Sequence, residues 1–575
     1  MRAIRTQGWK AVSDAISTEK IDYVFGLTAN PWEFWDYLAE TPTRPILVRQ
    51  ELSGVYMAMA YSRLSGKVGI VFNSPGPGIG GTFPGLLEAY SGAIPLIAIS
   101  PSSPQISYGR GQFQETNFVP AFQQVSKWAF RVTNTENIPW AIERAFHIAI
   151  NGKPGPVFLE IPMDVGNGFF EDDWHYVTST KLKYTIPERE LERIYSAITE
   201  SKKPVILAGG GVILSRAAET VVKFAEKNFI PILTTPSGRG TIPEDHMLAF
   251  GQVGLYRTKI SKKVFEEADL LIMLGTQYEE FQSTNWKYFP RNANLIHIDI
   301  DPLTINRNFR PDISAVGDIK IVFEELHGQI SNVKSVRMEE RKSWVRSLTA
   351  FKREFEESIV KEIDHEGQLR TPYIINRVYK IFGKDTILAN ENGSQDVWSY
   401  YFPYYKVLDF YGTLGMPEQT GLSFGVTGAI GAKLSSPDKK VVCITGDGAF
   451  QFGMHEIATS MQYDAPVTWI VLNNHGLGWE KYYQKYWLKS RKFISTEFTV
   501  QPDFQSIAKA YGIYGEKVTT KNKVDAAIRR ALDANIKDKI SAILDFEVPT
   551  FDFPEGFHEF HLVEWGPPKY PIIKS

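Results

Sequence analysis

The segment from Gly446 to Asn474 constrains the fold of this chain more than any other part of the sequence. It follows a short apolar, β-branched run typical of a buried parallel strand, which Gly-Asp-Gly interrupts. From Phe450 to Gln462 apolar residues recur at helical spacing, and Pro466 to Leu472 forms a second apolar run. The segment therefore predicts a β-α-β unit, in which Asp447 ends one strand and the Asn-Asn pair ends its neighbour.

Polar side chains at these two strand ends indicate a ligand site. Ligands of an open parallel sheet bind at the carboxyl ends of the strands, so Asp447 and Asn474 are expected to converge beside a helix N-terminus. Their oxygen atoms, together with diphosphate oxygens, suit Mg²⁺. Gly-Asp-Gly alone is a common turn and Asn-Asn alone a common loop, but the two at the ends of one unit predict a magnesium-bound diphosphate.

This unit resembles the diphosphate-binding motif of thiamine diphosphate (ThDP) enzymes, which runs from Gly-Asp-Gly to Asn-Asn over a stretch of this kind. The resemblance implies that Asp447 and Asn474 bind the metal through their side chains and that Gly476 binds it through its backbone carbonyl. The residues around the two motifs are implied to contact the cofactor, namely Gly446, Asp447, Gly448, Ala449, Asn474 and Gly476.

Length and composition favour a multidomain enzyme that acts on small molecules. With 575 residues, the chain suits three or four domains of about 150 residues each. A net charge of −2 predicts no nucleic-acid partner, and no apolar run is long enough to span a bilayer. The single cysteine, Cys443, excludes a disulfide within the chain. The N-terminus has the pattern of an amphipathic helix and not of a signal peptide, so we expect a cytoplasmic protein.

Apolar strands alternate with helical stretches along the chain, which predicts an α/β fold of three doubly wound parallel sheets. The polar stretch from Gly166 to Pro187 is predicted to be a linker, and a charged helical segment from Ile319 to Ile363 leads into the third unit. We predict domains at 1–170, 188–335 and 365–550, and a C-terminal tail at 551–575.

The tail is rich in aromatic residues and proline, and it contains His558 and His561. Docking on the protein is the favoured interpretation, with a lid that excludes water as the alternative. In the central unit, Gly209-Gly210-Gly211 follows the strand Pro204 to Ala208. It is interpreted as a tight turn and not as a dinucleotide loop, because the full spaced fingerprint is missing.

Three such units with the diphosphate motif in the third resemble the acetolactate synthase and pyruvate decarboxylase superfamily across nearly the whole chain. The resemblance implies the order pyrimidine-binding, central and diphosphate-binding domain, with ThDP and Mg²⁺ as cofactors. It also implies a homodimer or homotetramer whose active site lies between the first domain of one subunit and the third domain of another.

Glu51 is the candidate for activating the cofactor. A carboxylate against the pyrimidine ring can stabilise the imino tautomer that removes the thiazolium proton. Glu51 follows the strand Pro45 to Val48 and resembles the glutamate of the family's Arg-His-Glu segment. Gln50 stands where that segment has histidine, so no role of the histidine is carried over. A glutamate in a solvated first turn of a helix is the structural alternative.

Further segments resemble the cofactor and substrate contacts of acetolactate synthases. Pro77 and Gly78 lie in a rigid turn similar to the loop that packs on the pyrimidine. Phe113 and Gln114 match residues that reach the reacting carbons, and Lys127 falls where that family has a lysine. A solvated surface residue is the alternative for Lys127.

Three positions in the third unit are also implied to contact the cofactor. Leu422 occupies the place of the large apolar side chain that props ThDP in its bent form. Ser394 and Gln395 align with the loop that touches the diphosphate, and Gln395 stands where histidine or asparagine is usual.

Glu480 and the aromatic residues beside it depart from the acetolactate synthase pattern. Pyruvate decarboxylases have a glutamate at this offset from the Asn pair, and a carboxylate there could protonate the carbanion-enamine. Trp479, Tyr482, Tyr483 and Tyr486 share a helical face, which favours core packing over a substrate pocket. The segment Gly275 to Phe281 lacks the arginine with which acetolactate synthases bind FAD, so bound FAD is doubtful.

The sequence thus predicts a ThDP- and Mg²⁺-dependent enzyme that cleaves a 2-oxo acid and passes the acyl carbanion to an acceptor. An acetolactate synthase-like carboligase is the main hypothesis. A non-oxidative 2-oxo acid decarboxylase, and an acyl-phosphate-forming enzyme like sulfoacetaldehyde acetyltransferase, are the alternatives. A non-catalytic ThDP-binding protein is the hypothesis from a different class.

Overall fold

The computed structural model describes residues 5–171, 174–290, 292–330, 337–363, 367–488, 492–555 and 557. These residues form three six-stranded sheets, in which all neighbouring strands are parallel, and one antiparallel pair of short strands. Helices flank each sheet, which confirms the predicted α/β fold class. Among the helices of the described ranges, none is long and apolar enough to cross a membrane.

The first sheet contains β2 (Tyr23–Gly26), β3 (Arg44–Leu47), β4 (Gly69–Phe72), β5 (Leu96–Ser102), β6 (Trp128–Arg131) and β7 (Val157–Pro162). Its strand order is β3-β2-β4-β5-β7-β6. The helices are Gly8–Thr18, Trp32–Ala39, Glu51–Ser65, Pro77–Gly80, Phe83–Ser91, Val119–Phe122, Ile138–Ile150 and Met163–Asn167, with 3₁₀ turns at Gln105–Ser107 and Thr135–Asn137.

The second sheet contains β9 (Pro204–Ala208), β10 (Ile232–Thr234), β11 (Ala249–Gln252), β12 (Leu270–Leu274), β13 (Asn294–Asp299) and β14 (Ile313–Val316). Its order, β11-β10-β9-β12-β13-β14, reverses between β9 and β12. The helices are Glu188–Glu200, Gly210–Leu214, Ala218–Asn228, Lys259–Glu266, Glu280–Ser283 and Ile319–Ile330, with 3₁₀ turns at Pro236–Gly238 and Gly254–Tyr256. The long helix Met338–Ile363 leads to the third sheet.

The third sheet contains β15 (Thr386–Asn390), β16 (Thr413–Leu414), β17 (Lys440–Gly446), β18 (Thr468–Asn473), β19 (Tyr514–Val518) and β20 (Ala542–Glu547), in the order β16-β15-β17-β18-β20-β19. The central strands β17 and β18 are buried on both faces, as apolar runs of this kind predict. The helical segments are Thr371–Phe382, Asp396–Tyr400, Phe424–Ser435, Asp447–Gly453, Met454–Glu456, Ile457–Gln462, Gly478–Trp487, Phe504–Ala510, Lys521–Lys523, Val524–Asp533 and Ala534–Asp538.

Two helices join the first and third units within one chain. The helix Glu51–Ser65 packs against Phe424–Ser435, and both are buried over most of their length. Gly431 permits this close approach, because a Cβ atom there would lie 2.2 Å from the carbonyl oxygen of Met57. The helix that carries Glu51 is therefore packed against the domain that carries Asp447.

Several local predictions differ from the structure. The helix after β17 begins at Asp447 and not at Phe450, since an aspartate in the first turn is favoured by the helix dipole. The predicted linker contains β8 (Phe169–Glu171), which pairs with β1 (Arg5–Gln7) ahead of the N-terminal helix. Each six-stranded sheet falls inside one predicted domain range, but the exact boundaries remain predictions.

Candidate active site

Asp447 is the first residue of its helix, directly after the end of β17. Its side chain is buried, and Oδ2 accepts the backbone N–H of Gly476 at 3.1 Å and the side-chain amide of Gln501. Burial raises the pKa of the Asp447 carboxyl to about 6. Gly446 pairs with Leu472, so the ends of β17 and β18 lie side by side, as the sequence predicts.

Asn474 follows β18 and faces the same region. Its Oδ1 is buried and has no hydrogen-bond partner among the described residues. A Cβ atom on Gly478 would lie 2.8 Å from Asn474 Nδ2 and 2.1 Å from Ser394 Oγ, which leaves no room for a larger residue. An unpartnered amide oxygen near a buried carboxylate is the donor chemistry that a hard cation such as Mg²⁺ requires.

Ser394 and Gln395 lie beside these residues. The Gln395 side-chain amide donates to the carbonyl of Glu391 at 3.1 Å, and a Cβ atom on Gly446 would lie 3.1 Å from Gln395 Oε1. A small cavity is lined by Ser394, Gln395 and Asn474, together with the stretch Val548–Thr550. The predicted diphosphate loop therefore shares one cavity wall with Asn474, one of the predicted metal ligands.

Gly448 and Ala449 occupy the first turn of the helix that begins at Asp447. Ala449 is buried, and a Cβ atom on Gly448 would lie 3.1 Å from the ring of Phe498. Phe498 belongs to the same loop as Gln501, and this loop therefore covers the helix N-terminus. The sequence analysis singled out neither residue, because nothing in the local pattern of the loop indicates what it packs against.

Leu422 lies in a turn that is held by Glu391. Glu391 is buried, and its two oxygens accept the backbone N–H groups of Asn392, Ser423, Gly425 and Val426 at 2.8 to 3.1 Å. Ser423 has a positive φ of 72°, so the chain turns sharply next to Leu422. The sequence analysis missed Glu391, although a glutamate at the end of β15 was a visible signal.

Glu51 is the first residue of the helix Glu51–Ser65 and is half-buried. Its carboxylate packs on the turn that contains Pro77: Cβ atoms on Gly78 and Gly81 would lie 3.7 and 3.4 Å from its oxygens. A Cβ atom on Gly76 would lie 3.1 Å from Gln114 Cβ. The structure thus brings Glu51, the Pro77 turn and Gln114 into one group.

Phe113 and Glu480 are exposed in the single chain, Phe113 to 87%. Glu480 occupies the first turn of the helix Gly478–Trp487, directly after the predicted metal ligands. Lys127 lies apart from Gln114, because its ammonium donates to the carbonyls of Ile148 and Asn151 at the end of the helix Ile138–Ile150. Burial lowers the pKa of Lys127 to about 8. Its part in the chemistry stays a prediction.

Two groups of predicted residues result. Asp447 and Asn474 lie with the diphosphate loop in the third domain, and Glu51 lies with Gln114 in the first. Within the described part of one chain, no hydrogen bond joins the two groups. Each group is half of the site that the sequence predicts.

Family models match the chain in the same three parts. They are described as the thiamine pyrophosphate enzyme N-terminal TPP binding domain (residues 6–121), central domain (191–326) and C-terminal TPP binding domain (392–546). A probable acetolactate synthase large subunit of Methanococcus aeolicus is 31% identical, over 92% of this chain and 90% of that protein. The chain belongs to the acetolactate synthase-like thiamine pyrophosphate enzymes.

Two other relatives agree with this assignment. A probable acetolactate synthase large subunit of Methanocaldococcus jannaschii is 30% identical over 94% of this chain and 92% of its own. The acetolactate synthase large subunit of Haemophilus influenzae is 29% identical over 93% of both chains. The predicted family is therefore confirmed, and the chain is a ThDP enzyme.

The aromatic residues of this ThDP enzyme that follow the Asn pair pack against the start of the C-terminal tail. Tyr482 is fully buried, and its ring lies 4.8 Å from that of Phe553. Asp552 binds Arg370 and the backbone N–H of Thr371, which fixes the tail to the helix Thr371–Phe382. This part of the tail is docked. His558 and His561 lie outside the described residues.

Asp396 is a second buried carboxyl that the sequence analysis missed. It begins the helix Asp396–Tyr400 directly after Gln395, and its Oδ2 accepts the hydroxyl of Tyr256 at 3.1 Å. Burial raises the pKa of Asp396 to about 8. Tyr256 belongs to the central domain, so this bond ties the diphosphate loop to that domain.

A crevice lies where the strand order of the central domain reverses, and Ser91 and Gly92 of the first domain also line it. Gly210 and Gly211 line it at the start of the short helix Gly210–Leu214, so the interpretation of the three glycines as a plain tight turn was incomplete. Lys153 and Lys181 also line it and are paired with Asp301 and Asp318 at 3.4 and 3.0 Å. The expectation that FAD is not bound stays a prediction.

Proposed function

We propose that this ThDP enzyme cleaves a 2-oxo acid, releases CO₂ and transfers the acyl carbanion to a second carbonyl compound. Relatives named acetolactate synthase over nearly the full length support a carboligase. The observation that carries the proposal is the buried carboxylate of Asp447 at one strand end, together with Asn474 at the neighbouring one, whose Oδ1 has no hydrogen-bond partner within the described ranges. These donors fit a magnesium-bound diphosphate.

The third domain would hold the diphosphate end of the cofactor. Asp447, Asn474 and the carbonyl of Gly476 would bind Mg²⁺, while Ser394, Gln395 and the helix N-terminus at Gly446, Gly448 and Ala449 would contact the diphosphate. Leu422 would support the cofactor in its bent form. Glu391 would keep that leucine in place, because it accepts the backbone N–H groups of Ser423 and Gly425, which follow the leucine.

The first domain would supply the proton relay. ThDP, when bound, provides a thiazolium carbon that becomes a nucleophile and a ring system that accepts electrons. Glu51 would hold a proton at a pyrimidine ring nitrogen, and the Pro77–Gly78 turn would pack on that ring. Phe113 and Gln114 would approach the substrate. Because Phe113 is exposed in the single chain, we propose a homodimer or homotetramer in which these residues meet another subunit's third domain.

A simple 2-oxo acid decarboxylase is the second candidate, and Glu480 favours it. This carboxylate lies on the first turn after the predicted metal ligands, where it could deliver a proton to the carbanion. A phosphate acceptor would instead give an acyl phosphate. Carboligation and simple decarboxylation differ in whether the carbanion attacks a carbonyl compound or takes up a proton. Transfer to phosphate needs an acyl group at the oxidation level of an acid, so it would require a substrate that carries its own leaving group, such as sulfoacetaldehyde, in place of a 2-oxo acid.

Product analysis by NMR tests the proposal. The purified protein is incubated with ThDP, Mg²⁺ and pyruvate or longer 2-oxo acids, without FAD and with or without phosphate. An acyloin or acetolactate product is expected. Free aldehyde would overturn the carboligase in favour of the decarboxylase. An acyl phosphate formed from sulfoacetaldehyde and phosphate, with release of sulfite, would favour the transferase.

A further inference from the structure

The carboxylate of Glu456 is fully buried between the first and third domains of one chain. Its Oε1 accepts the backbone N–H of Arg49 at 2.9 Å and that of Gln50 at 3.0 Å. These are the two residues directly before Glu51. The third domain therefore binds the backbone that leads into the proposed proton relay.

A second set of contacts surrounds this carboxylate. Thr459 Oγ1 donates to Glu456 Oε2 and accepts a bond of 2.9 Å from the Arg49 guanidinium, which also donates to Gln462 Oε1 at 2.7 Å. The backbone N–H of Leu47 donates to the hydroxyl of Tyr463 at 2.7 Å. One segment of the third domain, 456–463, thus holds the chain from the end of β3 to the helix start.

The backbone at this point needs an external acceptor. Gln50 has extended dihedral angles and makes no side-chain cap, so the N–H groups of Arg49 and Gln50 lie between the strand and the helix that follows. Glu456 accepts both bonds. A charged acceptor makes these bonds stronger than neutral ones, and its removal would take away the acceptor of both N–H groups.

The contact with Glu51 itself is indirect. The Glu51 carboxylate packs on Gly78 and Gly81 of the first domain, while its backbone starts the helix that Glu456 anchors. A shift of about 1 Å in a catalytic group can cost about a hundredfold in rate. The reaction rate should therefore depend strongly on the position of the first helical turn, which carries Glu51.

We propose that Glu456 is a positioning residue for Glu51, holding the first turn of its helix through the backbone of Arg49 and Gln50. The inference rests on the proposed role of Glu51 in ThDP activation. A carboxylate of the third domain would thus take part in the proton relay of the first domain.

Hydrogen exchange of the cofactor-free protein tests the contact. In Glu456→Gln, one oxygen becomes an N–H donor and the charge is lost, so exchange of the Arg49 and Gln50 amides should accelerate about tenfold. The matched control is Asp269→Asn, because Asp269 likewise accepts two consecutive backbone amides, those of Lys202 and Lys203, at 2.8 and 2.9 Å in the central domain. The control should leave Arg49 and Gln50 protected.

The exchange rate of the C2 proton of bound ThDP, measured by NMR, tests the consequence. Glu456→Gln should slow it about tenfold or more, while the dissociation constant of ThDP changes less than about threefold. Thr459→Val, which removes the hydroxyl between Arg49 and Glu456, should act in the same direction and serves if Glu456→Gln does not fold. Asp269→Asn should match the unchanged protein.

If the Glu456→Gln protein binds ThDP and its C2 exchange rate is unchanged, the inference is overturned. This holds at any exchange rate of the Arg49 and Gln50 amides. Unchanged amide exchange would overturn it as well. If the unchanged protein binds no ThDP, the proposed function fails instead, and amide exchange still decides whether Glu456 holds Arg49 and Gln50.

Discussion

The side-chain amide of Gln501 donates to Oδ2 of Asp447, the same oxygen that accepts the backbone N–H of Gly476. Gln501 is itself oriented by Gln451, whose side-chain amide nitrogen lies 3.3 Å from Gln501 Oε1 and 3.1 Å from the Asp447 carbonyl. The carboxylate proposed to bind Mg²⁺ is therefore held in one orientation before any metal arrives.

Gln501→Ala should weaken Mg²⁺ binding in the presence of ThDP by about 10- to 100-fold, because residues that orient a metal ligand typically contribute this much to affinity. Isothermal titration with MgCl₂ measures the effect. Gln505→Ala provides the control, since Gln505 is exposed and lies in the next helix, Phe504–Ala510. Equal affinities in the two variants would show that Gln501 does not orient the ligand.

Glu51→Gln should lower kcat by about 10²- to 10⁴-fold, the range typical of a lost general acid or base. Binding of ThDP should change little, because the proposed metal and diphosphate contacts lie in the third domain. Steady-state kinetics and a titration with ThDP measure the two quantities separately. Normal turnover of the variant would remove Glu51 from the mechanism.

Some of this site could be predicted from the sequence, because its signals are local. Asp447 and Asn474 were found from two apolar runs and the residues that end them, and both side chains lie at neighbouring strand ends. Gln501 and Glu456 were missed, since their partners are distant in sequence or are backbone groups. No local pattern specifies such contacts.

The sequence also could not predict the direction in which a side chain points. Lys127 matches a family position, yet its ammonium is bound by the carbonyls of Ile148 and Asn151. The strand Phe169–Glu171 was missed because it pairs with Arg5–Gln7, at the far end of the same domain. Periodicity predicts which residues are buried and leaves open what covers them.

The protein should lose stability in mild acid because of the buried His297. It is buried on β13 with its Nε2 3.1 Å from the carbonyl of Thr276, and burial lowers its pKa from 6.5 to about 4. Between these pH values the unfolded chain binds the proton and the folded chain does not, so stability falls as the pH drops from 6.5 towards 4.

The full contribution of His297 to the change in the free energy of unfolding is about 3 kcal/mol, because each unit of pKa shift corresponds to about 1.4 kcal/mol. Urea unfolding at pH 7 and pH 4.5 measures it in the unchanged protein and in His297→Gln, which keeps an amide donor but does not titrate. The variant should lose less stability on acidification. An equal loss in both proteins would contradict the assignment to His297.

Mixing two inactive variants tests whether the halves of the site come from different subunits. In a homodimer with shared sites, a dimer of one Glu51→Gln chain and one Asp447→Ala chain has one site with both residues intact and one with neither. Random exchange of subunits makes half of the dimers mixed, so about a quarter of the normal activity should return.

If each chain formed its own complete site, every site in the mixture would carry a defect and no activity would return. The subunits are exchanged by unfolding and refolding the mixture. Each variant treated alone in the same way is the control, and activity in either of them would invalidate the comparison.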